Sequence, residues 1–196
     1  MGKYDHCLVE MDCDMYAHKL ANRSPVFTFG NECFPNAPYF IDMLTFTGEH
    51  IWLEGTPEGA PKNIAIMKPD NHKGGPYPKW HRNCDAMFFF YGLDPDNIND
   101  LGATIEFHIG EGDAGQVFII DEPRCIYVPK DVRFGPMYVT NFRHNFMEVC
   151  IHTASSRPEC EIENDFDYNA DVERIKELGI AHLSDQAIIR ALADEK

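Results

Sequence analysis

"ATIEFHIGEGDAGQVFIIDEPRCIYV", residues 103–128, packs three short apolar runs between turn-forming residues. In the first run Ile105, Phe107 and Ile109 fall on one face of an extended chain, and Thr104, Glu106 and His108 fall on the other. That division follows because successive side chains of a strand point to opposite sides. Gly, Pro and Asp separate this run from the next two, at 116–120 and 124–128. Working outward, similar runs occupy 39–46, 50–54, 62–67, 85–91, 136–142 and 146–153. Short β-branched and aromatic runs at a spacing of roughly ten residues predict an all-β sandwich or barrel.

Either side of this region the pattern changes. Residues 1–38, broken by Gly30 and Pro35, read as an N-terminal arm, a short helix or irregular chain. After Arg157 the spacing becomes helical: Val172, Ile175 and Leu178 share a face, Gly179 closes the turn and Ile180 is placed to touch Ile175. A second helix is expected after Ser184 in "DQAIIRALADE". The expected organisation is an arm over 1–38, a barrel over 39–155 and a helical tail over 156–196.

With 196 residues, 44% of them apolar, the chain can bury a substantial core. Lys and Arg number 17 against 32 Asp and Glu, a formal charge of −15 that repels phosphate backbones and anionic lipid. Nucleic acid and membrane are therefore excluded as expected partners. The seven cysteines include no CxxC pair, which argues against a zinc ribbon or a complete disulfide set and favours a reducing cytoplasm. Charges interrupt every apolar stretch of the N-terminus, so a secretory signal is not expected. In "LDPDNINDLG", residues 93–102, Ile98 and Leu101 stand where a calcium loop needs oxygen ligands or glycine.

Two stretches carry the functional reading, "KWHRNCDAMFFFYG" at 79–92 and "YVPKDVRF" at 127–134. Set in a strand-dense frame, they resemble the cupin family over about residues 39–153. That family's first motif is a glycine, an HxH pair, a later Glu and a closing glycine; its second is P-x-G-x-x-H. Counted back from Gly92, Asp85 stands at the Glu position, His81 at the second His and Lys79 at the first. Counted forward from Gly75, His81 is the first His and Asn83 replaces the second. In the second motif Pro129, Asp131 and Phe134 occupy the Pro, Gly and His places.

The resemblance implies a double-stranded β-helix, the jelly-roll barrel, with short C-terminal helices. It implies an enzyme acting on a small organic molecule in the barrel cavity by Lewis-acid or acid–base chemistry: a lyase, isomerase, hydrolase or oxygenase. It further implies a homodimer, and either one divalent ion (Fe, Mn, Zn or Ni) or none. The candidate catalytic and metal-binding set is His81, Asp85, Glu106 and His108, with Glu106 and His108 offered from one strand face. Tyr138, Arg124, Phe134 and Trp80 are the candidate substrate contacts.

Each candidate has a plainer role available. His81 can be a strand-end residue beside Trp80, Asp85 a turn acid, and Glu106 and His108 the wet face of a half-buried strand. His144 lies in a polar turn, Phe88 to Tyr91 suit a core, and the cysteines suit small buried positions. The alternative for the whole chain is a barrel that has lost the metal site and binds a ligand or a partner subunit.

Overall fold

A computed structural model describes residues 7–14, 26–51, 79–158, 160–162, 174 and 176–179. Among the described residues twelve strands run in chain order as β1 (Asp12–Asp14), β2 (Val26–Phe29), β3 (Phe40–Phe46), β4 (His50–Ile51), β5 (Lys79–His81) and β6 (Ala86–Gly92). They continue as β7 (Thr104–Ile109), β8 (Gln116–Ile120), β9 (Arg124–Val128), β10 (Phe134–Thr140), β11 (Phe146–His152) and β12 (Cys160–Ile162). One sheet has the order β1-β2-β3-β11-β6-β9; the other is β12-β5-β10-β7-β8, with β4 pairing β10. Every pairing is antiparallel. The chain is an all-β jelly roll of two antiparallel sheets.

The centre of the first sheet is β11, hydrogen-bonded along its full length to β3 and β6, from Phe146 opposite Phe46 and Gly92 to His152 opposite Phe40 and Ala86. Alternation then sends Phe146, Glu148, Cys150 and His152 into the barrel, and with them Phe88 and Phe90 of β6 and Leu44 and Phe46 of β3. From the opposite sheet come Ile105 and Phe107 of β7, so the faces meet in hydrocarbon. Phe46 stacks on Phe146 at 4.6 Å, and Phe107 lies among Phe88, Phe90 and Phe134 at 5.5–6.4 Å. Gly92 closes β6 because the backbone at Asp100 runs directly over it; an added Cβ would lie 2.0 Å from the Asp100 carbonyl oxygen.

Strand β10 departs from simple alternation. Its pairing with β7 shifts between Phe134 and Met137, where Gly135 takes a φ of 81° that favours glycine. The bulge lets Phe134, Met137 and Val139 all join the core, and it turns Tyr138 to the outer face opposite Glu106. The strand expected at 136–142 begins two residues earlier, at Phe134, and so takes in Gly135 and Pro136, where a bulge tolerates proline's missing donor.

Segments 12–14 and 26–29, expected as helix or irregular arm, are strands that extend the first sheet beyond β3. Alternation over so few residues is too short to register in the sequence. The expected strand at 62–67 and helix at 185–195 lie outside the described residues; of the helix expected around 172–178, Arg174, Lys176 and Glu177 are helical. Among the described residues no helix is long and apolar enough to cross a membrane.

Since Phe107 is fully buried against three other rings, Phe107→Ala is expected to lower the unfolding free energy by about 3–5 kcal/mol. Urea unfolding followed by tryptophan fluorescence measures it, and a loss under about 1 kcal/mol would contradict the packing described.

Candidate functional site

Polar side chains collect at one end of this hydrocarbon interior. His81 ends β5, Cys84 lies in the short connection to β6, and His152 ends β11. Their exposures are 3%, 2% and 4%. One ligand atom from each lies within 4.8 Å of the other two. The His81 and His152 rings meet edge to face at 5.0 Å, and Phe134 lies edge-on to His81 at 4.8 Å. Asp42, facing inward from β3, brings Oδ2 to 3.4 Å from Nε2 of His152. On the other nitrogen of that ring, Nδ1 is buried and has no hydrogen-bond partner among the described residues.

An unmet buried nitrogen is costly, by about 1–3 kcal/mol, so its persistence calls for a purpose. A cation would meet it. Two imidazoles and a thiol are the donors that suit a four-coordinate divalent ion with one position open. The residues present therefore fit a metal ion. Burial, reinforced by the neighbouring Asp85 carboxylate, pushes the Cys84 thiol up to about 11.

Of the residues expected from the sequence, His81 is inside and its proposed companions are elsewhere. Asp85, one step out of phase with inward-facing Ala86, accepts hydrogen bonds from the Lys130 backbone and the Tyr127 hydroxyl, and these hold its carboxyl below the ordinary range. Glu106 and His108 lie on the outer face of the second sheet, bonded to each other at 2.8 Å. Alternation forces this, because Ile105 and Phe107 take the inner face. That outer face is less wet than expected. Glu106 is buried beneath Arg174, whose guanidinium grips both carboxylate oxygens while also reaching Glu177 at 3.0 Å.

The substrate candidates separate in the same way. Phe134 stands inside, in contact with His81, so an apolar ring occupies the motif's last ligand place. Tyr138 is buried on the outer face beside His108, at 6.0 Å. Trp80 carries Arg82 over its ring at 5.2 Å, and Arg124 pairs with Glu122. Arg124 also lines an apolar cleft of about 580 Å³ between the edges of β8 and β9, with Phe118, Ile120, Ile126 and Tyr127.

Sequence reasoning missed Cys84, His152 and Asp42. One signal was available: "HRNC" places His81 and Cys84 three residues apart, a common spacing for two ligands in one turn of chain. Nothing in the sequence links either to His152 or Asp42, which arrive through strand pairing.

No protein-family model and no curated protein matches the sequence. By shape the chain is similar to procruciferin, an 11S globulin from Brassica napus, at 9% identity over 69% of this chain and 27% of that one, with a TM-score of 0.40. It is similar to oxalate decarboxylase from Bacillus subtilis at 9% identity over 78% and 32%, with a TM-score of 0.43. A third similar structure is oxalate oxidase in complex with the substrate analogue glycolate, at 8% identity over 85% and 72%, with a TM-score of 0.44. These are cupin-fold proteins. The chain spans about a third or less of the length of the first two.

The Glu106 clamp has a measurable consequence. Burial opposes its ionisation, but the hydrogen bonds from His108 and Arg174 and the guanidinium charge outweigh burial and hold its pKa at about 2, against an ordinary value of 4.5. Because the folded value is the lower one, ionised Glu106 stabilises the fold fully above about pH 4.5, and that contribution fades as pH falls through about 2. Glu106→Gln is expected to cost about 2–3 kcal/mol at pH 7 and to flatten the loss of stability across that acid window. Urea titrations at stepped pH values check both; a variant with an unchanged acid profile would contradict the clamp.

Proposed function

We propose that this chain is a cupin-like enzyme that acts on a small organic molecule at the His81–His152 end of its barrel, with one divalent ion of the Fe, Mn, Zn or Ni group held there. The observation that carries the reading is the gathering of two imidazoles and a thiol, all buried, at one end of an interior built largely of Phe, Leu, Ile and Val. Converging, buried polar groups in an apolar interior mark a default site for chemistry.

His81 and His152 hold and orient whatever binds between them. Asp42, beside Nε2 of His152, favours the tautomer with its proton on Nε2 and leaves Nδ1 to bind. Phe134 walls off water and keeps the local dielectric low, which strengthens any charge interaction there. When bound, a divalent ion polarises a carbonyl or activates water. Among the described residues Cys33, Cys84 and Cys125 stand outside any disulfide, and a reducing, cytoplasmic setting suits such thiols.

Protein purified without chelator is expected to carry about one divalent ion per chain by elemental analysis, and His152→Ala to lose it. Wild-type protein that binds no divalent ion, even after incubation with each of the four, would overturn the metal reading.

A second reading is favoured by a separate feature. Val117, Phe118 and Ile119 of β8 are 50%, 41% and 59% exposed, at a sheet edge with no partner strand among the described residues. Edges of this kind invite another strand. On this reading the apolar cleft beside β8 is a binding face, and a second copy of the chain pairs there as a homodimer. Sedimentation equilibrium is expected to give a dimer that Phe118→Asp converts to a monomer; a monomeric wild type would remove this reading.

A further inference from the structure

We propose that the ion site is built for a thiophilic divalent metal, zinc or iron(II) rather than manganese, with Cys84 as a thiolate ligand beside His81 and His152 and with Asp42 as the positioning residue for His152. The inference rests on the metal reading above and deepens it.

The donor atoms argue the choice. Sulfur and imidazole nitrogen favour zinc and iron, whereas manganese and magnesium seek carboxylate, carbonyl and water oxygen. Within the cluster the donors that approach one another are two imidazoles and one thiol. The nearby carboxylate, Asp42, has its Oδ2 committed to Nε2 of His152 at 3.4 Å. A carboxylate on the far nitrogen of a ligating histidine orients the ring and raises its basicity, a role distinct from ligation. Nδ1 of His152 is then the nitrogen left for the ion, and it is the one that is buried and unpartnered among the described residues.

Distances agree. Donors around a tetrahedral zinc lie about 3.3–3.7 Å apart, as bond lengths near 2.0–2.3 Å require. A cluster spanning at most 4.8 Å closes to this with movement of roughly an ångström, within reach of rotamer adjustment. His81 and Cys84 are held three residues apart by the end of β5 and the start of β6, and His152 is fixed opposite Ala86 by strand pairing. The three ligands therefore come from two rigid anchors, and the fourth position is left open to water or substrate.

Cobalt(II) is the probe, because a cobalt–thiolate bond gives a near-ultraviolet charge-transfer band that nitrogen and oxygen ligands do not. Full-length protein stripped with chelator and titrated with cobalt is expected to develop this band together with intense visible bands of four-coordinate geometry. Cys84→Ser is expected to keep a bound cobalt and lose the near-ultraviolet band. Asp42→Asn is expected to keep the band with affinity weakened about 10- to 100-fold. Zinc is expected to displace cobalt at one equivalent, and manganese to fail even at about tenfold excess.

Cobalt bound without a charge-transfer band in the wild type, or a band that survives Cys84→Ser, would overturn the thiolate assignment while leaving the metal reading standing. An Asp42→Asn variant with unchanged affinity would overturn the role of Asp42. If cobalt, zinc and iron all fail to bind the wild type, this inference falls; if manganese and nickel fail as well, the metal reading falls with it. The wild-type spectrum decides whether a thiolate ligates at all even if a variant fails to fold, and Cys84→Ala offers a second test of which thiolate it is.

Discussion

The unbroken pairing of β11 with β3 on one side and β6 on the other is the constraint from which the rest follows. Seven residues of β11 are locked in register with both neighbours. A slip of one residue would turn Phe146, Cys150 and His152 outward and bury Met147, Val149 and Ile151 instead. Hydrocarbon burial at the Phe46–Phe146 end selects the register, and the polar end has to accept it. His152 is inside because Phe146 is.

A position inside an apolar barrel forces polar groups to find one another. Carboxylates and imidazoles lose water on burial and need partners to offset that loss. His152 meets Asp42 through one nitrogen and packs against His81. Across the second sheet the same rule gives a different outcome. Glu106 is buried on the outer face, and its partners His108 and Arg174 satisfy it completely within the protein. The contrast separates a structural clamp from a site: Glu106 is paired through both oxygens, whereas Nδ1 of His152 lacks a partner among the described residues.

Much of the architecture was legible in the sequence because local chemistry dictates it. The alternation of Ile105, Phe107 and Ile109 against Thr104, Glu106 and His108 predicted both the strand and its inner face, and that division holds. The runs at 116–120 and 124–128 fall where expected. Other features were not legible. Residues 12–14 and 26–29 carry too little pattern to be read as strands, and the bulge at Gly135 and Pro136 moved β10 and reset which of its residues face inward. At the site, His81 was readable from its place ahead of an apolar strand. Asp85 was attached to it by motif position, and Glu106 and His108 by sharing one strand face; alternation places Asp85 out of phase with Ala86 and the other two opposite Ile105 and Phe107.

By itself the sequence determined that the chain forms short antiparallel strands around an aromatic core, since side-chain alternation and turn chemistry act over a few residues. It also determined a net charge of −15 that sets the chain against polyanions. Tertiary structure alone decided which polar residues meet. Asp42, His81, Cys84 and His152 come from β3, β5, the following connection and β11, positions up to 110 residues apart by 152 minus 42. Their meeting depends on strand order and register, which are settled by burial summed over the whole barrel and leave no trace in any local stretch of residues.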